Sequence, residues 1–235
     1  MAGDHSGQLA LRFPNRWSGA RRRAGRKAGE RRSTPHRARP QHRAGNPQHV
    51  TLRLLSRSLR SQYVFPTVRG AIDAANRRCR GRFQIVHFSV QSNHLHLLVE
   101  ARSHRDLVES VRGFNVSLAR RINRLLFRRG QLLAERWHGR ALTTPRAVRR
   151  ALVYVLANAK RHGEHAGAID PLSSAPYFDG FREFPDGAPI GAAPKLVPRF
   201  AESRSGPLPV ANSWLLGAGW LRHQRISIHE APHER

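Results

Sequence analysis

The stretch VQSNHLHLLVE, Val90 to Glu100, constrains the fold of this chain more than any other. Leu95, Leu97 and Val99 alternate with His94, His96 and Leu98, the two-residue period of a β-strand with one buried face. Gln91-Ser92-Asn93 is a short polar turn, and RFQIVHFSV before it (Arg82 to Val90) reads as a second strand, so the two form a hairpin. Side chains two apart on a strand point the same way and sit about 7 Å apart. The His94 and His96 rings therefore stand side by side, where a metal ion could bridge them or where they could do nothing at all.

The elements around this hairpin complete a recognisable order. HVTLRLL (His49 to Leu55) alternates as a strand, and PTVRGAIDAANRRC (Pro66 to Cys79) is helical, with Val68, Ile72 and Ala75 on one side. After the hairpin, Leu107, Val111, Phe114, Leu118, Ile122 and Leu125 recur at three- and four-residue steps, the core stripe of a helix from about Asp106 to Phe127. RWHGRALTT (Arg136 to Thr144) reads as a further strand. Thr144 followed by Pro145 is a helix cap with proline at the first helical position, opening a closing helix to about Arg161. The order β-α-β-β-α-β plus a closing helix predicts an α+β fold of the ferredoxin-like, split β-α-β kind: an antiparallel sheet with helices on one face.

The flanks differ in texture. Residues 1–46 are rich in Arg, Gly, Ala and Pro without apolar periodicity and read as a disordered basic arm. A domain is expected over 47–163, and 164–235 is a Pro- and Gly-rich extension with one short helix near 212–223. Asn212 or Ser213 would cap that helix, and Trp214, Leu215 and Trp220 would dock it on the domain.

Net charge is +27, and among 42 lysines and arginines only Lys27, Lys160 and Lys195 are lysines. Such an excess asks for an anionic partner, most simply nucleic acid, whose phosphates the planar guanidinium pairs bidentately. A GC-rich genome would raise arginine content too, but it would not deplete the acids. Cys79 is the single cysteine, so neither a disulfide framework nor a cysteine zinc site is available within one chain. No stretch approaches the roughly 20 apolar residues of a membrane span and no signal pattern opens the chain. A soluble cytoplasmic protein, associated with the nucleoid, is the expectation.

An isolated His-x-His carries little weight: with 14 histidines among 235 residues, about one such pair arises by chance. The closing helix adds a second element. In VRRALVYVLANAKRHG, Val148, Leu152, Val155, Leu156 and Ala159 make one apolar stripe, while Tyr154 and Asn158, four apart, fall opposite it beside Arg150 and Arg161. A tyrosine that leaves the apolar stripe for arginines and an amide is a candidate functional group. Two neutral imidazoles and an amide oxygen could together hold a divalent ion with positions open for substrate oxygens. A phenolate is a competent nucleophile toward phosphorus, and flanking arginines would neutralise the phosphate.

At these residues the chain resembles the REP-associated tyrosine transposases, within the single-tyrosine transposases of the HUH superfamily. SNHLHLLVE is similar to the family's Asn-His-hydrophobic-His strand, YVLAN to its Tyr-x-x-x-Asn helix, RWHGR to its aromatic-x-Gly-Arg segment and HVTLRL to its first strand. The resemblance covers about residues 49–163. It implies a nucleophile at Tyr154, metal ligands at His94, His96 and Asn158, and DNA contacts from Arg136, Arg140, Arg150 and Arg161. It further implies Mg²⁺- or Mn²⁺-dependent cutting and rejoining of single-stranded DNA near hairpins or palindromic repeats, through a 5′-phosphotyrosine, by a monomer or homodimer. Where the family has a proline after Asn158 this chain has Ala159, which removes a helix stop and lets the closing helix run on. The alternative is a domesticated, catalytically idle DNA-binding protein of the same fold; a third is an RNA-binding protein.

The remaining candidates have plainer readings. His87 could be imagined as a third zinc ligand and is expected instead to be an ordinary half-buried strand histidine. Tyr63 and Tyr177 are expected to be structural. Arg120, Arg121, Arg128 and Arg129 are either a solvated helix face or a groove that tracks a nucleic-acid strand.

Overall fold

The computed structural model describes residues 41–55, 59–161, 163, 169–184 and 208–232. The basic arm up to residue 40 and the side chain of Arg161 lie outside the described residues.

Four strands, β1 (Gln48–Arg53), β2 (Phe83–Val90), β3 (His94–Ala101) and β4 (His138–Ala141), form one antiparallel sheet in the order β2-β3-β1-β4. That is the predicted split β-α-β arrangement. Helices α1 (Phe65–Arg78) and α2 (His104–Leu125) pack together on one face of the sheet. Helix α3 (Pro145–Leu156) packs with Val86 and Leu98 in a second cluster that the opposite face of the sheet contributes. The expectation of helices on one face therefore holds for α1 and α2, and the closing helix takes the other side.

Local signals explain the boundaries. Ser103 caps α2: its hydroxyl accepts from the Asp106 amide at 3.0 Å and donates to the Asp106 carboxylate at 2.8 Å, so the helix starts before the first apolar residue of its stripe. Thr144 caps α3 by accepting from the Ala147 amide at 3.1 Å. Helix α3 does not run on to Arg161. It ends at Leu156, Ala157 is a turn, and a separate helical turn, α4, spans Asn158–Arg161. The loss of proline at residue 159 thus leaves the break in place one residue before Asn158.

The register assigns every strand side chain to a face. Val50, Leu52, Ile85, Phe88, Val90, Leu95, Leu97 and Val99 enter the core beneath α1 and α2. His49, Thr51 and Arg53 on β1 lie opposite Leu98, His96 and His94 on β3, and all six belong to the α3 side. A bulge in β2 between Ile85 and His87 turns Val86 into the α3-side core next to His87. The His94 strand was expected to bury one face; it buries both, with Leu98 fully covered and Glu100 8% exposed.

The cover on the second face comes from α3 and from the C-terminal extension. Phe178, Phe181, Leu216, Trp220 and Ile226 join Val148, Leu152 and Val155 in a second core. The Arg149 guanidinium, on α3, donates two 2.8 Å hydrogen bonds to Glu230 and one of 3.0 Å to the Gln224 carbonyl. Glu100 accepts from the Asn212 and Ser213 amides at 2.7 and 2.9 Å. The tail helix is shorter than expected: α5 spans Trp214–Gly217 and a 3₁₀ segment follows over Gly219–His223, with Ser213 as the cap. Gly219 lies against the Trp214 ring, where a Cβ would stand 2.9 Å from it. Trp220 docks as expected, whereas Trp214 remains 53% exposed.

Candidate active site

On the α3 side of the sheet, the His94 and His96 rings lie 6.3 Å apart and nearly parallel, as expected for alternate residues of one strand. His94 is half-buried and His96 is 6% exposed. The Nδ1 of His96 is engaged from β1, 3.2 Å from the Thr51 hydroxyl and 3.3 Å from Nε2 of His49. These two contacts fix the ring's orientation and make Nε2 the nitrogen by which His96 would ligate a metal.

Tyr154 meets these histidines. Its ring stands edge-on to His96 with centroids 5.2 Å apart and at 62° to His49 with centroids 5.5 Å apart. The tyrosine leaves the apolar stripe of α3, as read from the sequence, and it does so to face the sheet. Asn158 departs from expectation. It was placed on one face with Tyr154 and Arg150, yet it is fully buried while Arg150 is exposed. The turn at Ala157 breaks the four-residue helical phase on which that placement depended.

The Asn158 side chain is the most telling group here. Both its amide nitrogen and its carbonyl oxygen are buried without a hydrogen-bond partner, an arrangement costing on the order of 1–3 kcal/mol per group. Among the described residues no three His, Cys, Asp or Glu side chains are grouped to hold a metal. A cation at the paired histidines would therefore need a donor of another type, and a buried amide oxygen is one. The donor set of two imidazoles and one amide suits a divalent ion of the Mg²⁺ or Mn²⁺ class only with further oxygens from substrate.

The arginines divide. Arg140 on β4 lies directly across from His49, on the site's face, and is exposed. Arg136 is exposed ahead of Trp137, with no register position in the sheet, and Arg150 is exposed on α3. Sequence reasoning passed over three residues: His49 and Thr51, which hold His96, and Arg53, exposed on β1 across from His94. The alternation of His49, Thr51 and Arg53 in the first strand was the available signal.

His87 sits elsewhere, edge-on to Phe178 at 5.5 Å and 3.4 Å from the Ser174 hydroxyl. Burial lowers its pKa to about 4, so it is a neutral packing histidine. Tyr63 is exposed and Tyr177 is half-buried within a 3₁₀ turn.

Residues 67–140 match the family model described as Transposase IS200 like. The matched segment runs from α1 to β4 and contains His94 and His96, so over that segment the chain is similar to IS200-like transposases; Tyr154 and Asn158 lie beyond it. One solved structure, of the REP-associated tyrosine transposase bound to a REP hairpin, is similar at 20% identity with a TM-score of 0.48, covering 59% of this chain and 81% of that one. No curated protein matches the chain in sequence. No helix among the described residues is long and apolar enough to cross a membrane.

Proposed function

We propose that this protein is a transposase-type enzyme that cuts and rejoins single-stranded DNA, with hairpin or palindromic DNA as its substrate. The observation that carries the reading is the edge-on meeting of the Tyr154 ring with His96 on one face of the sheet; Asn158, four residues further along the chain, buries its amide without partners.

The chemistry is a transesterification. The Tyr154 oxygen attacks the phosphorus of a DNA phosphodiester, the bond from phosphorus to the 3′ oxygen breaks, and a 5′-phosphotyrosine forms. The phenolic proton is lost to water and the departing 3′ oxygen takes one up. Attack by a second 3′-hydroxyl reverses the step and joins the new strand without outside energy. A Mg²⁺ or Mn²⁺ held by His94, His96 and Asn158 would supply Lewis acidity to the phosphate. The chain itself supplies orientation: Thr51 and His49 hold the His96 ring, and the C-terminal segment holds α3 through Arg149. Arg140 and Arg53, on the same face, neutralise the phosphates that approach, joined by Arg150. The chain acts in the cytoplasm, as a monomer or a homodimer.

The test is covalent capture. Purified protein, labelled single-stranded hairpin DNA and Mn²⁺ should give an adduct that survives denaturation. Tyr154→Phe should abolish it while DNA affinity changes by less than about threefold, since the lost hydroxyl contributes little to phosphate binding. An adduct formed by Tyr154→Phe protein moves the nucleophile elsewhere; no adduct from wild type on a broad set of hairpins leaves the idle DNA-binding alternative.

A further inference from the structure

Across the sheet from Tyr154, on the outer side of α2, lies a groove of 780 Å³ lined by Arg78, Arg112, Arg120, Arg121 and Arg124. Its one acid is Glu109, which is occupied by Arg105 at 2.8 Å. No ion pair within the described residues includes any of the five arginines. Gly113 makes the groove possible: the Arg78 guanidinium comes within 2.9 Å of where a Cβ would stand, so α1 can lay an arginine across α2. From Arg112 to Arg124 the helix extends the stripe over about 18 Å. Five clustered guanidinium groups, with one acid among them that is already paired to Arg105, repel one another, a cost that an anionic ligand reverses.

Three residues after Arg124, just past the C-terminal end of α2, stands Phe127, 98% exposed. Its backbone is left-handed, with φ at 49°, a region that bulky side chains rarely enter. Hydrogen bonds from the Phe127 amide to Arg124 and from the Arg128 amide to Asn123 hold it there. A position that favours glycine on backbone grounds instead carries an aromatic ring presented to solvent, in a chain whose other phenylalanines in the domain, Phe65, Phe83, Phe88 and Phe114, are buried. Backbone strain of this kind collects where a side chain has a task.

We infer that the outer face of α2 is a second nucleic-acid surface, a phosphate track of Arg78, Arg112, Arg120, Arg121 and Arg124 that ends in Phe127 as a stacking platform for an unpaired base. A charged track with an exposed aromatic suits a single strand, because stacking needs a base free of its partner. A duplex would use the arginines and leave the ring idle. The surface is separate from the Tyr154 site and stands whether or not that site cuts DNA.

The experiment is salt-dependent binding of the full chain to labelled oligo(dT) of about 12 nucleotides, within the range single-strand binders cover, and to a duplex of equal length. Replacing Arg112, Arg120 and Arg124 by alanine keeps the helix, since alanine is its best former. It should flatten the plot of log affinity against log salt by about 2 for the single strand, at roughly 0.7 per lost phosphate contact. Phe127→Gly removes the ring and suits the left-handed backbone, so the fold is kept. It should weaken oligo(dT) binding about tenfold, with the salt slope and duplex binding unchanged. The inference is overturned if the triple variant keeps the wild-type slope. It is also overturned if alanine at Arg80, Arg102 and Arg182, outside the track, flattens the slope equally, or if Phe127→Gly binds oligo(dT) as wild type does.

Discussion

The same four strands present two unlike faces. Toward α1 and α2 they offer Val50, Leu52, Phe88, Leu95, Leu97 and Val99, which meet Ile72, Phe114, Leu118 and Ile122 in a core with almost no exposed surface. Toward α3 the same strands offer His49, Thr51, His94, His96 and Glu100, polar groups whose burial costs free energy unless each finds a partner. One face gains stability from apolar area alone, at about 25 cal/mol per Å². The other adds to the second core particular hydrogen bonds, from the Asn212 amide to Glu100 and from Arg149 to Glu230, and the contact of Thr51 on β1 with His96. Alternate residues of β3 therefore answer to different demands, one set to packing and the other, in the function proposed above, to chemistry.

His94 and Leu97, on opposite faces of β3, separate the two demands most strongly. His94→Ala should abolish the covalent DNA adduct, through loss of the proposed metal ligand, while costing about 1 kcal/mol or less of stability. Leu97→Ala should cost 2–5 kcal/mol and leave adduct yield per folded molecule near wild type. Urea unfolding and the adduct assay on both proteins decide it: if His94→Ala unfolds the chain and Leu97→Ala does not, the division of labour is wrong.

The apolar face was the legible one. Periodicity in Leu107, Val111, Phe114, Leu118 and Ile122 records a single demand, burial, and it placed the helix and its strands in the right order. The paired histidines and Tyr154 were legible as residue types in a motif. Their partners were not, because His49 and Thr51 act through the β1–β3 register, and register is a property of two distant segments. Asn158 was misplaced for a local reason: the turn at Ala157 carries no glycine or proline to announce it. The tail was read as loose because Pro and Gly dominate it. Its few apolar residues, Phe178, Phe181 and Trp220, nonetheless suffice to cover α3, which already supplies most of the surface they bury against.

A smaller effect separates the faces by pH. His87 lies on the polar side, and burial lowers its pKa to about 4 from an ordinary 6.5. The unfolded chain binds a proton there as pH falls through 6.5, and the folded chain does not until about 4. Stability from this group is thus complete above pH 6.5, falls between 6.5 and 4, and is constant below. The loss is up to about 3 kcal/mol. His87→Phe should remove that slope from melting curves recorded between pH 4 and 7. An unchanged slope in the variant would show that His87 is solvated and that the second core is looser than its packing against Phe178 indicates.

The smallest effect has the opposite sign. Asn158 is fully buried and holds two amide atoms without partners, so a leucine of similar volume should suit the folded chain better. Asn158→Leu should raise stability by about 1–2 kcal/mol in metal-free buffer, the cost of an unpaired buried polar group, and should remove the covalent adduct. Added Mn²⁺ should raise the melting temperature of wild type, because a ligand that binds only the folded state stabilises it, and should leave that of the leucine variant unmoved. This pairing of a stability gain with a functional loss is what a face shaped by chemistry predicts, and no residue on the apolar face should display it. A leucine variant less stable than wild type would mean that the amide is satisfied in solution, and Asn158 would then be a structural residue of the α3–α4 turn rather than a ligand held ready.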